Sequence, residues 1–141
     1  MTMHSEHLRN VQVSWVAFGW FVGLAAAAAV LLLLAGAGFT EAGGAQETLV
    51  LTVAVAVGWF VGGFIVGFKS AAAPILHGAA MAMFTFVAWF VLNLVFGSLT
   101  TGAGAWEFFG ARSLAAALLV QVLAAVAGCW LGYRYTPVRV D

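Results

Sequence analysis

Long stretches without a charged side chain constrain this fold more than any other feature of the sequence. Only ten of the 141 residues are charged, and they delimit four apolar runs, at 10–40, 48–68, 70–106 and 113–133. Each run holds the roughly 20 apolar residues that a helix needs to cross a bilayer. We therefore expect four transmembrane helices, near 12–36, 48–68, 74–97 and 112–134.

The composition excludes several other classes of protein. The chain is 65% hydrophobic and 7% charged, whereas a soluble domain carries about 25% charged residues. Its zero net charge excludes a basic nucleic-acid binder, and its single cysteine, Cys129, excludes a disulfide scaffold. The runs also lack the alternating pattern of barrel strands. The sequence predicts an all-α polytopic membrane protein, with 1–141 forming one four-helix bundle.

The first run continues through Leu34, which is longer than the apolar part of a signal peptide, so we expect a retained anchor. Basic residues favour the cytoplasmic side of a membrane. With four spans, one side carries four of the five basic residues: Arg9, Lys69, Arg134 and Arg139. This bias predicts cytoplasmic termini in a bacterial inner membrane. The expected interface anchors are Trp15, Trp106, Lys69 and Arg134.

Two helices end in a similar motif. Residues 63–69 and 128–134 both read G-x-x-[VL]-G-[FY]-[KR], at an offset of 65 residues. One interpretation is an internal duplication, with two similar hairpins related by an axis along the membrane normal. The other is that glycine, an aromatic residue and a basic residue are common at any cytoplasmic helix end. The motif leaves both open.

Glycines four residues apart let membrane helices approach closely. Such pairs occur in three helices, and Gly78 adds a small residue to the third helix; the residues are Gly19, Gly23, Gly58, Gly62, Gly63, Gly67, Gly78, Gly128 and Gly132. At about 100° per residue, the two glycine pairs of helix 2 lie on nearly opposite sides, so this helix can pack against two neighbours. Either the glycines close a self-contained bundle, or one face docks a partner helix or a flat cofactor.

Three polar residues lie within the predicted spans: Thr85, Asn93 and Gln121. Thr85 and Gln121 have similar predicted depths, so we expect Gln121 to form a hydrogen bond with Thr85 or a helix 3 carbonyl. The hydrocarbon zone holds no acidic or basic residue, which argues against ion-coupled transport. His4 and His7 have a helical spacing, but metal sites need clustered ligands, so no metal site and no catalytic site are predicted.

His77 is the candidate cofactor ligand. The spacing Ala73-x-x-x-His77 resembles the pigment-ligating A-x-x-x-H of bacterial antenna polypeptides. This resemblance implies a neutral imidazole bound to the magnesium of bacteriochlorophyll or, by analogy, to haem iron. Two alternatives remain: His77 could bond backbone, lipid headgroups or the Arg134 region, or it could bond a partner subunit.

Three short motifs open or close helices: Val13-Ser14-Trp15, the helix end at 63–69, and Leu76-His77-Gly78. Together they resemble a group of small prokaryotic four-helix inner-membrane proteins of uncharacterised function. The resemblance implies the four-helix topology and the inner membrane, and it implies no activity.

Three functions are consistent with these features. We expect a non-catalytic accessory subunit of a larger bacterial membrane complex of respiratory or photosynthetic type. Its partners would be lipids, including bound lipid, and larger integral membrane subunits, with Trp106–Phe109 as an outer anchor or docking segment. One alternative is a homo-oligomeric channel or carrier lined by Thr85, Asn93 and Gln121. The other is a bacteriochlorophyll- or haem-contacting subunit that binds through His77.

Overall fold

Four long helices form the structure, a computed structural model that describes residues 7–39, 45–70, 72–100 and 111–136. After a short 3₁₀ turn at Leu8–Asn10, the helices are α1 (Val13–Gly36), α2 (Ala45–Ser70), α3 (Pro74–Thr100) and α4 (Ala111–Arg134). Each is long and apolar enough to cross a membrane. The prediction of an all-α, four-helix membrane bundle is confirmed.

The helix ends follow local chemistry. Pro74 opens α3, where its missing N–H has no intrahelical partner to lose. Gly38 follows α1 with a φ of 83°, the left-handed conformation typical after a helix end. The α2 helix starts at Ala45, three residues before the predicted 48, and Glu47 lies in its first turn. A carboxylate there interacts favourably with the positive end of the helix dipole, which stabilises the earlier start.

The helices are arranged in a ring with the order α1, α2, α4 and α3, and α2 packs between α1 and α4. The α1 and α3 helices run away from the end that carries Lys69 and Arg134, here called the basic end, and α2 and α4 run toward it. The core is small and apolar. It consists of Val16, Trp59, Val66, Met81, Ala125 and Cys129.

Candidate functional site: helix seams and buried polar groups

Glycine pairs join α1 to α2 along the first seam. A Cβ atom at Gly58 would lie 2.5 Å from the carbonyl oxygen of Gly23, and one at Gly62 would meet the carbonyl oxygen of Gly19. The two backbones therefore approach closely enough that a larger residue at either α2 position would force them apart. One of the two glycine faces of α2 is used by α1.

The second seam joins α2 to α4, which are parallel. Here a Cβ atom at any of four glycines would meet a carbonyl oxygen of the facing helix. The pairs are Gly63 with Ala125, Gly67 with Cys129, Gly128 with Phe60, and Gly132 with Phe64. The opposite glycine face of α2 is thus filled by α4.

The α2–α4 contacts repeat with exchanged partners. The contact of Gly63 with Ala125 becomes the contact of Gly128 with Phe60 when each residue is replaced by its equivalent 65 positions away. The other two contacts of the seam are related in the same way. This exchange is what a local two-fold axis between α2 and α4 produces, and it supports the hypothesis of two similar hairpins.

The symmetry is incomplete in the other helices. Hydrogen bonds join α1 to α3 at two pairs that also differ by 65 positions, Gln12 with His77 and Trp20 with Thr85. However, a Cβ atom at Gly78 would lie 2.7 Å from Cα of Val126, whereas its equivalent, Val13, is 70% exposed. The two hairpins therefore differ in how their helices pack.

All nine predicted packing glycines lie against another helix of the same chain. Of the two interpretations of these glycines, the packing favours a self-contained bundle over a face that docks a partner helix or a flat cofactor. Helical spacing identified the glycine faces correctly. The α2 helix packs one face against α1 and the other against α4, and the glycine pairs of α1 and α4 both face α2.

His77 is fully buried, and both of its ring nitrogens have protein partners. The backbone N–H of Gln12 lies 3.1 Å from Nε2, and the carbonyl oxygen of Ala73 lies 3.0 Å from Nδ1. Because the backbone N–H can only donate, Nε2 is the acceptor and Nδ1 carries the proton. The ring is held as a neutral tautomer that bonds backbone, and it has no free lone pair for magnesium or iron.

The predicted hydrogen bond of Gln121 to Thr85 or to a helix 3 carbonyl is not formed among the described residues. Trp20 Nε1–H donates to Thr85 Oγ1 at 2.9 Å, and this hydroxyl lies 3.4 Å from the Met81 carbonyl oxygen. Gln121 is buried, with 6% exposure, but its Oε1 accepts no hydrogen bond from any residue that the structure describes. The two residues have similar depth, yet Gln121 lies one turn from Ala125, on the side of α4 that packs against α2.

The third polar residue, Asn93, is also buried and donates from Nδ2 to the Trp89 carbonyl oxygen at 2.9 Å. Asn93 and Thr85 thus direct hydrogen bonds to groups inside the bundle. These bonds give no added support to a channel lined by Thr85, Asn93 and Gln121, which stays a prediction.

Aromatic rings accompany the predicted interface anchors. The Arg134 guanidinium lies 4.2 Å from the Trp130 ring centroid, and Lys69 Nζ lies 5.8 Å from that of Phe68. Trp15 is half-buried and makes an edge-to-face contact with Phe18. Trp106, the rest of its aromatic segment, His4 and Arg139 lie outside the described residues.

An apolar groove opens between α3 and α4 at mid-helix. It has a volume of about 350 Å³ and is lined by Ala79, Ala82, Met83, Phe86, Leu118 and Val122. Met83 at its rim is 62% exposed, so the groove is open on the outer surface of the bundle. In a membrane it faces either lipid or another protein.

Within the described ranges, no three His, Cys, Asp or Glu side chains are grouped to hold a metal ion. No protein-family model, curated protein or solved structure matches this chain. The resemblance to small four-helix inner-membrane proteins stays a prediction that rests on three short motifs.

Proposed function

We propose that this multi-pass membrane protein is a non-catalytic accessory subunit of a larger bacterial inner-membrane complex of respiratory or photosynthetic type. The α3–α4 groove carries the proposal. Because the glycine faces are used inside the chain, we assign partner binding to this groove on the described surface. Alanines at two of its positions allow close approach, and its apolar lining suits the apolar side chains of a partner transmembrane helix.

The charge distribution supports a structural role. The described spans carry acidic or basic side chains only near their ends, such as Glu47, Lys69 and Arg134. Proton- or ion-coupled carriers place such groups inside the membrane. The buried His77 is engaged through both nitrogens, which leaves it unsuited to proton exchange or pigment ligation.

The orientation belongs to the same proposal. Arg9, Lys69 and Arg134 all lie at the basic end of the bundle. By the positive-inside rule this end faces the cytoplasm, so both termini are cytoplasmic.

The test is isolation of the protein in mild detergent, followed by a native gel and mass spectrometry of the co-migrating chains. The wild-type protein should co-migrate with larger integral membrane subunits. Ala79→Phe fills the groove and should release them. Leu119→Phe places the same ring at a 61% exposed position of α4 and should retain them. The absorption spectrum of the band distinguishes a photosynthetic or haem-containing complex from a colourless one.

A wild-type protein that migrates alone, as a monomer or as an oligomer of itself, would contradict the accessory-subunit proposal. If the partners remain bound equally in both variants, the partner docks elsewhere and the groove assignment is wrong.

A further inference from the structure

The guanidinium of Arg134 is held against an aromatic ring at the basic end of α4. Its Cζ atom lies 4.2 Å from the centroid of the Trp130 ring, one helical turn earlier. A stacked guanidinium presents its face to the ring, so the N–H groups along its edge stay free to donate. Within the described ranges, no hydrogen bond or ion pair joins this guanidinium to another residue. The cation is therefore oriented by the ring but not neutralised.

The basic end also carries no carboxylate among the described residues. Arg9, Lys69 and Arg134 lie at this end, whereas the acidic residue of the described ranges, Glu47, lies in the first turn of α2 at the opposite end. A ligand with its own ammonium group would find no described carboxylate to pair with here. A ligand with a net negative charge therefore suits this end better.

The outer face of α4 continues from Arg134 into the membrane as an apolar surface. Trp130, Ala127 and Leu123 follow at spacings of three or four residues, so they lie along one side of the helix. Ala127 and Leu123 are exposed, Leu123 by 63%, so this side is open to lipid in the described structure. From Arg134 to Leu123 the helix rises about 16 Å, which matches half of the ~30 Å hydrocarbon core of a bilayer.

We propose that Arg134 and Trp130 bind one anionic phospholipid. The guanidinium donates two parallel N–H bonds to the headgroup phosphate, and one acyl chain lies along Trp130, Ala127 and Leu123. Tryptophan rings favour the headgroup level of a bilayer, and basic side chains beside transmembrane helices bind anionic headgroups. This surface is separate from the α3–α4 groove, so the lipid site does not depend on the accessory-subunit function.

Lys69 provides a matched comparison within the same chain. It is the equivalent of Arg134 at the offset of 65 residues and is also exposed at a helix end, but Ile65 takes the place of Trp130. Its Nζ lies 5.8 Å from the Phe68 ring centroid, a looser contact. Each cation lies two residues after a seam glycine, about 200° around its helix, so the two side chains point away from each other. Charge alone would make the two positions equal, whereas the stacked guanidinium makes them different.

Native mass spectrometry of the intact protein, released from detergent micelles, tests this site. Phosphatidylglycerol and phosphatidylethanolamine with identical acyl chains are added in equal amounts, and the first bound lipid is measured. The wild-type protein should retain phosphatidylglycerol in preference. Arg134→Gln should lower its bound fraction about fivefold, the factor that one basic side chain contributes near an anionic lipid surface. Lys69→Gln should lower it less than about twofold, because salt screens the more distant charge.

Two further variants separate the stacked guanidinium from its charge. Arg134→Lys keeps the positive charge but loses the planar group that forms two parallel bonds, so it should lower the bound fraction nearly as much as Arg134→Gln. Trp130→Leu keeps an apolar surface but removes the ring, and it should lower the bound fraction in the same direction. If Trp130→Leu does not fold, Arg134→Lys decides, because the Arg134 side chain is exposed. A large excess of inorganic phosphate should not displace the lipid, because phosphate has no acyl chain.

Four results would overturn the proposal. They are equal retention of the two lipids by the wild-type protein, equal losses in Arg134→Gln and Lys69→Gln, an unchanged bound fraction in Arg134→Lys, and displacement of the lipid by inorganic phosphate.

Discussion

The imidazole Nε2 of His77 accepts a hydrogen bond from the backbone N–H of Gln12, 3.1 Å away. Gln12 is the N-cap residue of α1, and its N–H has no partner within the helix. The same ring donates from Nδ1 to Ala73, the residue before α3. One buried side chain therefore ties the starts of α1 and α3 together.

Replacement of His77 by phenylalanine should destabilise the bundle. The ring keeps its approximate size but loses the part-buried bond from Gln12 and the buried bond to Ala73. At about 0.5–1.5 kcal/mol for each hydrogen bond, the loss should be about 1–3 kcal/mol. Equilibrium unfolding in mixed micelles measures the difference. His7→Phe is the matched control, because His7 is exposed and should leave the unfolding free energy unchanged.

Equal unfolding free energies for these two variants would show that the bonds of His77 contribute nothing to stability. A visible absorption band that is present in the wild-type complex and absent from His77→Phe would instead support ligation of a pigment or haem.

Alanine at Gly63 and alanine at Gly128 should have similar effects. Each new Cβ would meet a carbonyl oxygen of the facing helix, Ala125 or Phe60, at positions related by the exchange between α2 and α4. Because backbone atoms must shift, each variant should lose about 1–3 kcal/mol of unfolding free energy. Unfolding in mixed micelles measures both.

Gly36→Ala is the control for those variants. A Cβ there has no atom of another element within 4 Å, and alanine favours helix by up to about 1 kcal/mol relative to glycine. Its unfolding free energy should be unchanged or higher. A large cost at Gly63 with none at Gly128 would argue against equivalent packing in the two halves of the seam.

The number of helices and the two faces of α2 could be predicted from the sequence, because charge positions mark helix ends and glycine spacing marks a face. Which helix packs against each glycine face could not be predicted, because the GxxxG pairs of different helices have the same sequence pattern. The predicted depth of side chains in the membrane was also not sufficient to identify hydrogen-bond partners. It suggested Gln121 as the partner of Thr85, whereas the orientation of the helices brings Trp20 to Thr85. The offset of 65 residues, visible in the helix-end motif, recurs in the Gln12–His77 and Trp20–Thr85 pairs.

Thr85→Val should destabilise the contact between α1 and α3. Valine keeps the shape of threonine but removes the acceptor of Trp20 Nε1–H. Hydrogen bonds between membrane helices contribute about 0.6 kcal/mol on average and about 1.7 kcal/mol at most, so the loss should fall in that range. Thr52→Val is the control, because the Thr52 hydroxyl is exposed and bonds only its own helix, at Thr48. A cost no larger than that of the control would mean that the Trp20 bond adds no stability.

The orientation can be tested with single cysteines at the two ends of α2. Native Cys129 is fully buried, so it should not react with a membrane-impermeant maleimide in intact cells. Thr48 is exposed at the far end of α2, and Thr48→Cys should react directly if the positive-inside rule holds. Ser70→Cys, beside Lys69 at the basic end, should react only after the membrane is permeabilised. The reverse pattern would place the basic end outside, and labelling of both variants in intact cells would indicate that the chain inserts in both orientations.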